Sequence, residues 1–185
     1  MNPEGVAARI QAACEGIPHR ARERDGLPSL EVAREDLHAL LQRLRDGAGF
    51  DSVTFVTGID HLGERASEPR FEVVHQLLSV TSAARVRVRV ALRSDDARLP
   101  SCIDLWPGAA YMERECFDLF GIVFEGHAGL KRLMMPDEYG YHPLRKDFPH
   151  QGIEPDRLYR EWDRQRRKDT PFARGSAGRE NGGAP

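Results

Sequence analysis

The chain lacks the residues that would give it redox or membrane chemistry of its own. Its three cysteines, Cys14, Cys102 and Cys116, are widely separated and include no C-x-x-C pair. Iron–sulfur clusters take four thiolates and structural zinc takes clustered Cys or His, so no cluster motif is present. In a reducing compartment the three read as small buried apolar residues. No glycine-rich phosphate loop is found, and no internal repeat. No apolar run approaches the roughly 18 residues of a membrane span. Met1 to Ile17 is interrupted by Glu4, Arg9, Gln11 and Glu15, unlike a signal peptide. The chain is therefore expected in the cytosol, free to dock on a membrane complex. A formal charge of -2 gives no overall pull toward nucleic acid or anionic lipid.

What is there fits one soluble domain with tails: 185 residues, 40% hydrophobic and 30% charged. Asn2-Pro3-Glu4 starts a helix that Val6, Ile10, Ala13 and Ile17 continue at helical spacing up to Pro18. His19 to Pro28 is charged and reads as a loop, and Leu30 and Val32 as a short strand. Leu37, Leu40, Leu41 and Leu44 form one stripe on a helix from about Glu35 to Asp46, stopped at Gly47. Val53 to Ile59, Phe71 to Val80 and Val86 to Leu92 follow as three strands, with connections short enough for antiparallel neighbours. The β-α-β-β-β-α order predicts an α+β fold: a two-layer domain whose mostly antiparallel mixed sheet has one polar face and helices on the other.

Trp106-Pro107-Gly108 introduces a further helix from about Ala109 to Phe120, with Gly121 as its stop. At 100° per residue, Met112, Cys116, Leu119 and Phe120 share one arc, while Tyr111, Arg114, Glu115 and Asp118 take the opposite arc. Glu113 falls at the border, where a covering partner would have to supply an Arg or backbone N–H groups. Arg114 and Asp118, four apart, can pair on the helix surface. From Gly121 onward glycine and proline recur too often for a regular element. Leu130 to Pro149 mixes Met, aromatic residues, proline and paired charge, which suits an extended segment lying across a partner surface. The expected organisation is an α+β domain over 1–121, an extended partner-binding arm over 122–155, and a basic short helix with a disordered tail over 156–185.

Several blocks in register resemble the 30 kDa subunit family of complex I, the C subunit of the proton-pumping respiratory NADH:quinone oxidoreductase. They are Glu113-Arg114-Glu115, Asp118-Leu119-Phe120-Gly121, Gly126-His127, Lys131 to Met135, and Pro143-Leu144-Arg145-Lys146-Asp147-Phe148-Pro149. Three positions depart from the family pattern: Ala128 in place of Pro, Met112 in place of an aromatic, and Tyr141 where Gly is usual. The resemblance implies a peripheral-arm subunit with no catalytic, cofactor or metal residues of its own. NADH, FMN, iron–sulfur clusters and quinone would be handled by other subunits. The implied neighbours are the quinone-site D subunit and the cluster-bearing B and I subunits, on the cytoplasmic side of the inner membrane, with membrane contact only through the complex. The interface residues it implies are Glu113, Arg114, Glu115, Asp118, Gly121, His127, Lys131, Arg132, Pro136, Pro143, Arg145, Lys146 and Asp147.

Other readings compete. Related hydrogenases and other donor-linked quinone oxidoreductases use a similar subunit, and co-purifying chains would tell them apart. A nucleic-acid module could use Arg85, Arg87 and Arg89 on one sheet face and the basic segment from Arg157 to Lys168; an alternating row of Arg is more often a solvated or intersubunit sheet face. His127, His142 and His150 suggest a metal, but no His-x-x-x-His pair exists and lone loop histidines usually cap or face solvent.

Overall fold

In the computed structural model the described residues are 3–64 and 68–149, with 152, 161, 164 and 165 beyond them. The chain divides into two compact units, Met1–Phe148 and Pro149–Pro185. Of the expected basic helix, Glu161, Arg164 and Gln165 are helical. The rest of that helix and the tail from Ala173 lie outside the described residues.

The first unit runs α1 (Pro3–Ala13), β1 (His19–Arg24), β2 (Leu27–Val32), α2 (Arg34–Asp46), β3 (Ser52–Asp60), β4 (Phe71–Leu78), β5 (Arg85–Leu92), β6 (Arg98–Pro100), α3 (Ala109–Phe120) and β7 (Val123–Glu125). Five strands form one sheet in the order β1-β2-β5-β4-β3, and β6 and β7 pair separately in parallel. Every neighbour in the large sheet is antiparallel except β2 and β5. This is the mixed α+β sheet expected from the element order.

One face of the sheet carries the core. The β4–β5 register sets Phe71 opposite Leu92, Val73 opposite Val90 and Leu77 opposite Val86, all buried. Leu37, Leu40, Leu41 and Leu44 of α2 pack there with no exposed surface. At about 1.5–3 kcal/mol for each fully buried leucine, that stripe is a main source of the domain's cohesion. Glu35 and Asp36 in the first turn and Arg43 and Arg45 in the last complement the helix dipole. All three cysteines are free and buried.

The opposite face is more organised than a solvated one. Arg89 is paired with Glu72, whose other oxygen lies 2.7 Å from His61 Nε2. Arg87 reaches Gln76 Oε1 at 3.2 Å and Asp25 Oδ2 at 3.3 Å. Two of the three arginines of the alternating row are thus met by groups of the chain itself.

The segment expected as a loop, His19 to Pro28, is instead a β-hairpin with β1 at the sheet edge. Its turn is Asp25-Gly26, with φ of 57° and 70°, the pair of left-handed residues that a tight two-residue hairpin needs. Charge on nearly every β1 position hid the strand from any reading by hydrophobic alternation. That same charge protects an edge from pairing with other chains. β4 also ends at Leu78 rather than Val80, because Ser79 N–H already closes the turn onto Ala84 O.

Candidate functional site

α3 lies along β3. Cys116 and Leu119 are buried beneath it, and Met112 Sδ accepts the N–H of Val56 at 3.2 Å. Glu113, at the border of the apolar arc, has no exposed surface. It accepts hydrogen bonds from Ser101 Oγ at 2.6 Å, Cys102 N at 2.8 Å and Cys102 Sγ at 3.2 Å. It thereby fastens the 101–103 turn to the helix. Burial, and next the adjacent Glu113 charge, push the Cys102 thiol well above its usual range, and burial pushes Cys116 up to about 12. Neither is a thiolate at neutral pH, so neither is a ready nucleophile.

Asp118 is also completely buried. Its Oδ2 accepts three consecutive backbone N–H groups, Leu133 at 2.9 Å, Met134 at 2.6 Å and Met135 at 2.9 Å, and its Oδ1 takes Arg132 Nη1 at 2.7 Å. Burial works against its charge, yet the N–H groups and Arg132 outweigh it and hold the carboxyl below its usual value. Arg114 does not form the expected pair with Asp118. It donates instead to Lys131 O at 3.1 Å and Arg132 O at 2.8 Å. The chain returns over the arc that helix geometry left facing outward, so both side chains serve that returning strap.

The strap closes the end of α3 as well. A helix leaves its last four carbonyls without internal partners. Here Phe117 O accepts from Gly121 N, Asp118 O from His142 Nδ1 at 2.9 Å, Leu119 O from Leu144 N at 3.0 Å and Phe120 O from Arg145 Nε at 2.6 Å. All four are satisfied, three of them by the strap. The His142 contact places that ring's proton on Nδ1, and burial keeps the ring's pKa below its usual value. Gly121 makes the reversal with φ of 74°, and a side chain there would collide with His142 and Arg145.

A second clasp sits at the end of β3. Asp60 accepts Leu62 N, both Arg70 Nε at 3.0 Å and Nη2 at 2.7 Å, and Lys146 N at 2.9 Å. Burial opposes its ionisation, but Arg70 and the two N–H groups prevail and bring it down to about 2. Arg70 also bridges to Asp147 Oδ2 at 3.1 Å, and the Lys146 ammonium pairs with Glu64.

The structure thus brings together Glu113, Arg114, Asp118, Gly121, Arg132, Arg145, Lys146 and Asp147 around α3 and its strap. The rest of the expected set stands apart. Glu115 is exposed with no partner among the described residues, and Lys131 takes part through its backbone carbonyl. Pro136 and Pro143 are half-buried. His127 Nε2 meets Ala110 O at 3.1 Å, on the far side of the helix start. Sequence reasoning missed Asp60, Arg70, Ser101 and the capping role of His142. The first compact unit also runs on from Gly121 to Phe148, since the strap is laid on its own domain. Among the described residues no group of three or more His, Cys, Asp or Glu could hold a metal, and no helix is long and apolar enough to cross a membrane.

Comparison with known proteins agrees with this architecture. The sequence pattern of the family described as respiratory-chain NADH dehydrogenase, 30 Kd subunit, matches residues 30–154. A protein from Roseiflexus castenholzii, named as the C subunit of NADH-quinone oxidoreductase, is 42% identical over 146 residues, 78% of this chain and 82% of its own length. One of the same name from Citrifermentans bemidjiense is 41% identical, over 71% of this chain and 79% of its own. Among solved structures, a trypsin-resistant fragment of Nqo5 superposes with a TM-score of 0.58 at 34% identity, covering 70% of this chain and all of that fragment. A chain of an archaeal membrane-bound sulfane sulfur reductase superposes at 0.65 with 22% identity, over 88% of this chain and 91% of its own, and shares the fold.

Proposed function

This chain belongs to the family of the respiratory-chain NADH dehydrogenase 30 kDa subunit, and from that premise we propose that it is a scaffold subunit of the peripheral arm of an NADH:quinone oxidoreductase. NADH, FMN, iron–sulfur and quinone chemistry belong, in this reading, to other subunits. The chain docks against the quinone-site D subunit and the cluster-bearing B and I subunits on the cytoplasmic side of the membrane, and reaches the membrane only through them.

The observation that carries this reading is the use of Asp118. A completely buried carboxylate that accepts three backbone N–H groups and an arginine is committed to fixing chain geometry. Acid–base chemistry needs a group that can exchange its proton near the working pH, and Asp118 is held ionised well below it. The strap so fixed exposes Met134, Tyr141 and Leu144, with Tyr111 of α3 beside its start, and large apolar and aromatic side chains of this kind supply contact area at subunit interfaces. The alternative of a subunit serving another electron donor is decided by the donor chains that co-purify with it.

Asp118→Ala tests the reading. The expected result is loss of assembled complex on a native gel, with NADH oxidation by an artificial acceptor unchanged per assembled flavin site. Normal assembly with altered flavin-site oxidation would contradict it.

A further inference from the structure

Of the strap's charged residues, Lys131, Asp137 and Glu138 are exposed to solvent, and the others divide into those answered within the chain and one that is not. Arg132 is met by Asp118, Lys146 by Glu64, and Asp147 by Arg70, itself paired with Asp60. Arg145 differs. Its Nε donates to Phe120 O, and its guanidinium lies over the Phe71 ring at 5.2 Å, with Arg70 over the same ring at 4.8 Å. Among the described residues no carboxylate meets its two terminal nitrogens. The group is half-buried, and burial together with the Arg70 charge depresses its pKa. The opposing pull of Asp147 and Asp60 is weaker, and both are already engaged by Arg70. A half-buried cation beside a second cation, held in place by a carbonyl and a ring face, thus has no carboxylate in direct contact with it among the described residues.

We propose that Arg145 receives the carboxylate of an aspartate or glutamate on a neighbouring polypeptide. Leu144, next to it in the chain, is 49% exposed, and the same strap also exposes Tyr141 and Met134. Two parallel N–H donors match a carboxylate in a planar, bidentate way that an ammonium cannot copy. Exposed apolar side chains on the same strap favour a protein over a lipid headgroup, which would leave them in water. The inference rests on the scaffold reading and goes further: of the Arg145-Lys146-Asp147 triplet, Arg145 alone is assigned to the partner, while Lys146 and Asp147 hold the strap.

Arg145→Gln separates the two roles, because the glutamine Nε2 falls where Arg145 Nε stands and can still serve Phe120 O. In the isolated full-length chain the urea midpoint is expected to change little, as repulsion from Arg70 and attraction to Asp147 and Asp60 disappear together. In native membranes the share of this chain migrating with the assembled complex is expected to fall about tenfold. A drop in the urea midpoint that matches the loss of assembly, or no loss of assembly, would overturn the inference.

A second variant identifies the partner group. Arg145→Lys combined with Lys146→Arg, treated in the complex with a water-soluble carbodiimide, condenses the amine at 145 with a touching carboxylate, the water lost passing to the carbodiimide as a urea. The expected product joins position 145 to an Asp or Glu of another chain; a product within this chain, or none, counts against the proposal. Sedimentation of the isolated chain with anionic vesicles, abolished by Arg145→Gln, would also overturn it in favour of lipid phosphate. Absence of the unsubstituted chain from the complex would instead refute the scaffold reading.

Discussion

Two helices of this domain look alike in sequence and are held in place by different physics. α2 is fastened by four leucines with no exposed surface and a polar outer face. α3 has an apolar arc too, but two of its six buried residues are carboxylates, Glu113 and Asp118, each saturated with hydrogen bonds. Apolar burial is non-directional and tolerates repacking, whereas a buried carboxylate fixes the positions of every donor around it. The domain therefore has an apolar half that supplies cohesion and a polar half that fixes one segment, the strap, in a single geometry.

The largest effect expected is that of Asp118→Ala. It strands three N–H groups and Arg132 in a buried site, at a cost of about 3–5 kcal/mol by urea unfolding. Leu41→Ala should cost a comparable amount, about 2–5 kcal/mol. The two differ in what they loosen: Leu41→Ala weakens the whole unit, while Asp118→Ala releases residues 130–148 to limited proteolysis before the sheet opens.

The pH response separates two histidines from the carboxylate clasp. His75 is fully buried on β4, and burial lowers its pKa to about 4. Its unfolded form, with the ordinary value of 6.5, binds more protons throughout that window. Stability is then fully present above about pH 6.5 and declines by about 3 kcal/mol as the pH falls to 4. Asp60, lowered to about 2, retains its contribution until the pH drops below the ordinary 3.8. Mild acid should thus act on His75 and on the strap's His142, which burial also holds below its usual value, before it reaches the Asp60 clasp. His75→Leu should reduce the fall of the urea midpoint between pH 4 and 6.5.

The smallest effect expected is at Glu115, two residues from Glu113 in the same motif but exposed and without a partner among the described residues. Glu115→Gln should move the isolated chain's stability by less than about 0.5 kcal/mol. A larger change would place Glu115 in a contact of the chain's own.

Much of this domain was legible from residue order. The leucine spacing of α2, the alternation of β5 and the Gly121 stop place those elements within a residue or two of where they stand, because each signal is local. The hairpin over His19 to Pro28 carried a local signal too, Asp25-Gly26, overshadowed by the charge of its first strand. The clasp had none. Asp118 meets Leu133 to Met135 across 15 to 17 positions and Asp60 meets Lys146 across 86. A helical wheel assigns Asp118 to solvent because it knows nothing of the strap that covers it. The family resemblance singled out Asp118 and Arg132 through their order in the chain, without saying what each one holds.

The central claim, that the strap is a fixed part of its own domain, is tested most directly by amide hydrogen exchange at Leu133, Met134 and Met135 in the isolated full-length chain. Held by Asp118, these amides should exchange slowly, with protection approaching that of β4 and β5 and lost in Asp118→Ala. Exchange at the rate of an open loop in the unsubstituted chain would contradict the account.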